Sequence, residues 1–247
     1  MTRGADSSSR GVVLTARGIS KRFGRRAVLT GVDVELHAGE LVALLGPNGC
    51  GKTTLMSILV KALRADQGSV ECAGTSPGWV PQGGGTYGRL TVRENLELFA
   101  AMVLPDEDRH QCARTTAEAA HLMPWFDQPT SSLSGGTRQR LNIAIGMLGS
   151  PTVTVLDEPT TGVDLAHQSE MWALLRGRIA DGGTVLYSTH NTADAALADR
   201  VLVLVQGTIV YSGPLEGVAQ FAPEHATSFA DLDATSRGLL ALWGEVS

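Results

Sequence analysis

One stretch fixes the fold class of this chain more tightly than any other. "LVALLG" (41–46) runs without a polar residue into "GPNGCGKTT" (46–54), and "KTTLMSILVKAL" continues with helical spacing. A short, uninterrupted apolar run reads as a strand buried on both faces, the habit of parallel sheets. The glycine loop fills the pattern G-x-x-x-x-G-K-[ST] with Gly46, Gly51, Lys52 and Thr53. Glycines at that spacing let backbone N–H groups converge on phosphate oxygens, a lysine reaches the β- and γ-phosphates, and the hydroxyl binds Mg²⁺. The plain alternative is a loop that merely turns the chain. The strand before and the helix after argue against it. So does composition: of 20 basic residues only Lys21, Lys52 and Lys61 are lysine. The expectation is an α/β fold built around this loop.

The remaining chain supplies the other layers. "GVVLTARGISKRFG" and "AVLTGVDVELHAGE" alternate as β-strands, and "SVECAG" and "GWVPQ" are short strand-like pieces. "TVRENLELFAAMV" opens with a capping box, Thr91 to Glu94, and predicts a helix. Residues 106–123 are helical by composition. "TVTVLDEP" (152–159), "TVLYSTH" and "RVLVLVQGTIVYSG" read as strands, and "QSEMWALLRGRIADGG" as a helix stopped by Gly182 and Gly183. The predicted organisation is a frayed tail (1–10), a β-rich first half with the glycine loop (11–82), a helical insertion (83–133), a second half (134–214) and a helical tail (215–247).

Four further features carry chemistry. Asp157 and Glu158 end a buried strand, where an acid is costly without a cationic partner. Asp157 suits Mg²⁺ and Glu158 suits a base acting on water; taken alone, the pair reads equally well as solvated acids before a proline turn. Gln82, in "WVPQGGG", is positioned to reach Mg²⁺ or a water, though a plain surface glutamine fits the same pattern. His190 ends a third apolar strand, and a lone histidine there is commonly structural. Its place at a strand's carboxyl end, where doubly wound sheets bind ligands, favours function. The stretch "SSLSGGTRQRLNI" (131–143) is a second glycine turn feeding a helix: Ser134 caps it, Gly135 and Gly136 bare the backbone, and exposed N–H groups attract anions.

The formal net charge of −5 disfavours nucleic acid as the main partner. Cys50, Cys72 and Cys112 are too widely spaced for a zinc ribbon or a disulfide framework, so a reducing, cytoplasmic setting is expected. "MTRGADSSSR" lacks the apolar core of a signal peptide. No apolar run reaches 18 residues, so a membrane span would have to come from another chain.

Taken in order, these stretches resemble the nucleotide-binding subunit of an ABC transporter, from about Ile19 to Gly213. "GPNGCGKTT" stands as Walker A, Gln82 as the Q-loop glutamine and "LSGGTRQR" as the signature. "VTVLDEP" stands as Walker B, "TTGVD" as the D-loop ending at Asp164, and His190 as the switch histidine. The resemblance implies a P-loop NTPase core with a mainly parallel sheet, an antiparallel β subdomain and an inserted helical subdomain. It implies ATP and Mg²⁺ as cofactors. Gly46, Pro47, Asn48, Gly49, Cys50, Gly51, Lys52, Thr53 and Thr54 would hold phosphate. Thr53, Gln82 and Asp157 would form the Mg²⁺ shell, Glu158 the base, and His190 a γ-phosphate contact. Phe23 stands where the family places an adenine-stacking aromatic, usually Tyr; without the resemblance it reads as a strand-edge packing residue.

In the family two subunits pack head to tail, and each signature caps the ATP held by the other. That gives Ser134, Gly135 and Gly136 a nucleotide belonging to the partner, and Asp164 a place in the same shared site. The implied partners are a second ATP-binding subunit and a transmembrane permease, with the chain peripheral on the inner face of the membrane. "TVRENLELFAAM" and "DRVLVLVQGTIVYSGPL" resemble stand-alone subunits of drug, antibiotic or lipid exporters. An importer subunit is the alternative. A soluble ABC ATPase acting on ribosomes or DNA would carry a second cassette, a coiled coil or a zinc motif, none of which is in the sequence. Thr137 replaces the commoner Gln of the signature, the segment before Gln82 is short, and no long C-terminal extension suggests a regulatory domain.

Overall fold

The computed structural model describes residues 10–222 and 233–244. Most of the predicted tail at 1–10 and part of that at 215–247 lie outside them. Two sheets form the framework. The first pairs β1 (Val12–Phe23) antiparallel with β2 (Arg26–His37) and β4 (Gln67–Cys72), in the order β2-β1-β4. The second has six strands in the order β5-β6-β7-β3-β8-β9. These are β3 (Leu41–Leu45), β5 (Gly78–Val80), β6 (Val153–Leu156), β7 (Thr184–Thr189), β8 (Arg200–Val205) and β9 (Thr208–Gly213). All pair in parallel except β8 with β9, a hairpin across Gln206 and Gly207. β3, β6 and β7 are buried at every position, which accounts for their unbroken apolar character.

The two faces of the parallel sheet have separate cores. Val42, Leu44, Val155 and Leu186 face α1 (Lys52–Leu59) and the antiparallel sheet. Ala43, Leu45, Val185 and Tyr187 face α5 (Leu165–Ala180) and the helix Ala234–Trp243. A third apolar cluster joins α2 (Val92–Ala100), α3 (Asp106–Ala119) and α4 (Gly135–Gly146).

Several helix boundaries differ from the sequence reading. α1 stops at Leu59 instead of running through "KTTLMSILVKAL", because Lys61 takes a left-handed backbone (φ 61°). The helix expected over 106–123 stops at Ala119, because His121 takes a left-handed backbone (φ 53°) and a single 3-10 turn follows at Met123–Trp125. α5 begins three residues before Gln168, because Asp164 caps it by accepting the His167 N–H at 3.1 Å. The Thr91–Glu94 capping box is formed, with both reciprocal bonds in place.

Asn95, fully buried, ties the start of the helical insertion together. Its carboxamide nitrogen donates to the Tyr87, Leu90 and Thr91 carbonyls and to Thr130 Oγ1, and its oxygen accepts the Tyr87 N–H. Asn95→Ala leaves the Tyr87 N–H and Thr130 Oγ1 without this partner, while the three carbonyls keep backbone N–H donors, and we expect a loss of about 1–3 kcal/mol. The measurement is the urea midpoint of the full chain; an unchanged midpoint would mean other groups or water replace Asn95.

Candidate active site

Three parallel strands deliver the polar residues to one edge. β3 runs into Gly46, β6 into Asp157 and β7 toward His190, all at carboxyl ends, where open parallel sheets bind ligands. The cleft there holds about 480 Å³ and is lined by Phe23, Arg26, Asn48, Lys52, Gln82 and Glu158, among others. A cavity of about 540 Å³ lies elsewhere, between the two sheets. Its Arg200 is paired with Glu40 and Ser212, which marks it as a structural seam.

The glycine loop is shaped by close approaches. A side chain on Gly46 would collide with the Leu204 carbonyl, and Gly49 and Gly51 take positive φ (76° and 114°), which glycine adopts without strain. Lys52 is buried, and its ammonium donates to the carbonyls of Gly46 at 2.8 Å and Pro47 at 3.2 Å. The Cys50 thiol is buried against Gly46, and burial pushes its pKa up.

The acidic side of the cleft is held by hydroxyls. Asp157 is 2 % exposed; Thr53 Oγ1 donates to one carboxylate oxygen at 2.7 Å and Ser188 Oγ to the other at 2.5 Å. No cation pairs with it among the described residues. Glu158 accepts hydrogen bonds from Gln82 Nε2 at 2.9 Å and Thr161 Oγ1 at 3.1 Å, and His190 Nδ1 lies 3.7 Å from its other oxygen. Its backbone is left-handed (φ 47°), a conformation that costs a non-glycine residue about 1–3 kcal/mol and clusters at functional sites. The Glu158 N–H is fixed by Ser188 Oγ at 2.8 Å, so one serine holds both acids in place.

At the opposite wall Phe23, the last residue of β1, is half exposed (52 %) and lines the cleft. Lys21 stands 5.7 Å from the ring centroid, anchored by the Arg64 carbonyl and Asp66. That bond to Lys21 holds the Asp66 carboxyl below its ordinary range. The sequence reading passed over Arg26, Val28 and Ser188.

Ser134, Gly135, Gly136 and Asp164 do not line this cleft. They gather at a second place, where the first turns of α4 and α5 meet. Ser134 Oγ caps α4 by accepting the Thr137 N–H at 3.1 Å. Thr137, in place of the commoner Gln, bonds Ser134 Oγ through its own hydroxyl at 2.8 Å. Gly135 is exposed, whereas a side chain on Gly136 would run into the His167 ring. His167 bonds Asp164 through Nδ1 at 2.7 Å, and its backbone and ring bonds hold the Asp164 carboxyl below its ordinary range.

Side chains on α4 connect the two places. Asn142 accepts the Gly85 N–H at 3.3 Å and donates to Gln139 Oε1 at 3.2 Å. Gln139 in turn donates to the Pro159 carbonyl at 3.1 Å. Asp194, also buried, accepts from Thr160 and Thr189 and so ties the loop after Glu158 to the strand before His190. These polar groups lie in segments of ordinary composition, and only the fold brings them into contact.

Comparison with known proteins places this geometry among relatives. The family model described as ABC transporter matches residues 29–161. The chain is 36% identical over 210 residues to the Nod factor export ATP-binding protein I of Burkholderia lata, covering 80% of this chain and 69% of that one. It is 34% identical over 222 residues to the "Probable multidrug ABC transporter ATP-binding protein YbhF" of Escherichia coli, covering 84% of this chain but only 38% of that protein. Daunorubicin resistance ATP-binding protein DrrA3 of Streptomyces coeruleorubidus is 35% identical, with 81% of this chain and 67% of that one covered. Among solved structures, a dimeric bacterial ABC transporter cassette superposes with a TM-score of 0.73 at 24% identity, over 81% of this chain and 98% of that one.

Proposed function

The chain belongs to the ABC transporter family of ATP-binding proteins, and from that premise we propose that it hydrolyses ATP to drive export through a separate transmembrane permease. One observation carries the ATPase reading. Glycine loop, Gln82, Asp157–Glu158 and His190, distant in sequence, meet at one sheet edge with Thr53 Oγ1 2.7 Å from Asp157. Export is favoured because the relatives are named for Nod factor export and for multidrug and daunorubicin resistance.

In this reading Phe23 stacks on adenine, and the N–H groups of 46–54 with Lys52 bind the phosphates. The donor set fits Mg²⁺. A buried carboxylate held only by hydroxyls, with an adjacent threonine oxygen, offers hard oxygen ligands. Among the described residues no cluster of three or more His, Cys, Asp or Glu forms a cage, and Mg²⁺ needs only one or two protein oxygens beside phosphate. Thr53 and Asp157 would hold it, with Gln82 as a further oxygen donor, and it would neutralise charge on the β- and γ-phosphates. Glu158 orients the attacking water and accepts its proton; Gln82, Thr161 and His190 fix the carboxylate for that task. His190 is half exposed and reaches the γ-phosphate from the edge of the cleft.

The turn of Ser134–Gly136, with Asp164, faces a different nucleotide, the one held by a second copy of this chain. Its separation from its own cleft supports that assignment. ATP then joins two subunits, since its charge is fully met only when both close on it.

The insertion 83–133 is the permease-facing part. Tyr87, Leu98, Met102 and Val103 are exposed there, an apolar surface suited to another protein. No helix among the described residues is long and apolar enough to cross a membrane. Membership of this family makes the inner membrane face, with the permease as anchor, the expected location. Expressed alone, the full chain should leave the membrane fraction on washing; co-expressed with its permease, it should stay. Equal membrane recovery in both cases would remove the permease from this account.

A further inference from the structure

The mouth of the cleft is the tip of a β-hairpin. β1 and β2 close on the pair Phe23 and Arg26, with Gly24 (φ 58°) and Arg25 between them. Residues directly opposed in an antiparallel ladder send their side chains to one face. An aromatic ring and a guanidinium therefore stand side by side, and both line the cleft together with Asn48, Gly49 and Lys52.

The bonding of Arg26 differs from that of its neighbours. Lys21 is committed to Asp66, and Lys52 is buried between two loop carbonyls. Arg26 is exposed and has no carboxylate partner among the described residues. Its single hydrogen bond runs from Nη2 to the Gly49 carbonyl at 3.3 Å, longer than an ordinary N–H···O bond. A guanidinium held so loosely by a neutral carbonyl will exchange it for an anionic oxygen, because charge-assisted bonds are shorter and roughly twice as strong. Gly49 is the loop residue that Arg26 reaches, and Arg26 is itself the cross-strand partner of Phe23. An anion meeting Arg26 there is nearer the base than the γ-phosphate is.

We propose that Arg26 is a nucleotide-binding residue that contacts the α- or β-phosphate while Phe23 holds the base. The inference rests on reading this cleft as the ATP site. It assigns the hairpin tip a double task, one closing pair recognising both base and phosphate. The guanidinium also gives the cleft a phosphate-binding cation outside the glycine loop. Because Arg26 is exposed and its one bond is weak, replacing it should leave the fold intact.

The test measures dissociation constants of ATP, ADP and adenosine for the full chain and for Arg26→Ala, Arg26→Lys, Phe23→Ala and Lys52→Ala. Arg26→Ala should weaken ATP and ADP alike, by about tenfold, the usual size for a hydrogen bond to a charged group. Adenosine should bind it as it binds the wild type, which also reports an intact fold. Arg26→Lys keeps the charge but not the fork, and should lose about threefold. Phe23→Ala should weaken all three ligands, since stacking needs only the base. Unchanged ATP and ADP affinity in Arg26→Ala would overturn the proposal. An equal loss for adenosine would overturn it too, because Arg26 would then be serving the ring. A loss confined to ATP would move Arg26 to the γ-phosphate and refute the stated contact. Failure of the underlying reading looks different: Lys52→Ala would bind ATP as tightly as the wild type, or the wild type would not bind it.

Discussion

Glu158→Gln should hold ATP as the wild type does and turn it over about 10²–10⁴-fold more slowly, the span attributed to a positioned general base. The substitution keeps the shape of a side chain that is only 12 % exposed and removes its ability to take a proton. The glycine loop is untouched, because its contacts run through Lys52 and Thr53. With hydrolysis blocked, ATP-joined dimers should persist and elute as such in gel filtration. Phosphate release and ATP affinity, measured on the same preparation, separate the two effects. Turnover within a few-fold of wild type would dismiss Glu158 as the base.

The second large effect is one of complementation. Lys52→Ala damages the phosphate end of a site and Ser134→Arg damages the signature turn. Each homodimer should trap no nucleotide. In a mixed dimer, if every site pairs one chain's cleft with the other chain's signature, one site carries both lesions and the other carries neither. The intact site should then trap one ATP per dimer. If Ser134 served the ATP of its own chain, each site would carry one lesion and mixing would restore nothing. The separation of Ser134 from the cleft of its own chain favours rescue. Absence of rescue would count against a shared site.

The fold was legible in the sequence wherever one residue type answers one physical need. Glycines at 46, 49 and 51 are required by backbone angles and close approach, and an unbroken apolar run needs cover on both faces. Helix ends were harder to read. Asp164 reads in the sequence as the end of a loop, and it is also the cap of α5, with Leu165 83 % exposed directly after it. An exposed leucine blurs an apolar period that would otherwise show where the helix starts. The candidate site was legible in its motif residues and hidden in their supports. Ser188 lies in a buried strand with no pattern around it; only the pairing of β6 with β7 brings it to both acids. Gln139, Asn142 and Arg26 share that obscurity, because contacts between distant segments leave no local period to find.

The left-handed backbone at Glu158 bears on the history of such chains. Selection for folding alone would discard this residue: glycine or asparagine tolerates the angle better. In the proposed function, the need for turnover is what would retain a glutamate there. A duplicated copy that pairs with an active one has one site to spare, and for it the drift toward an inert residue runs downhill in stability. The same geometry that aims the carboxylate thus makes loss of chemistry the easy direction of change, and an asymmetric pair the natural outcome once two copies divide the work.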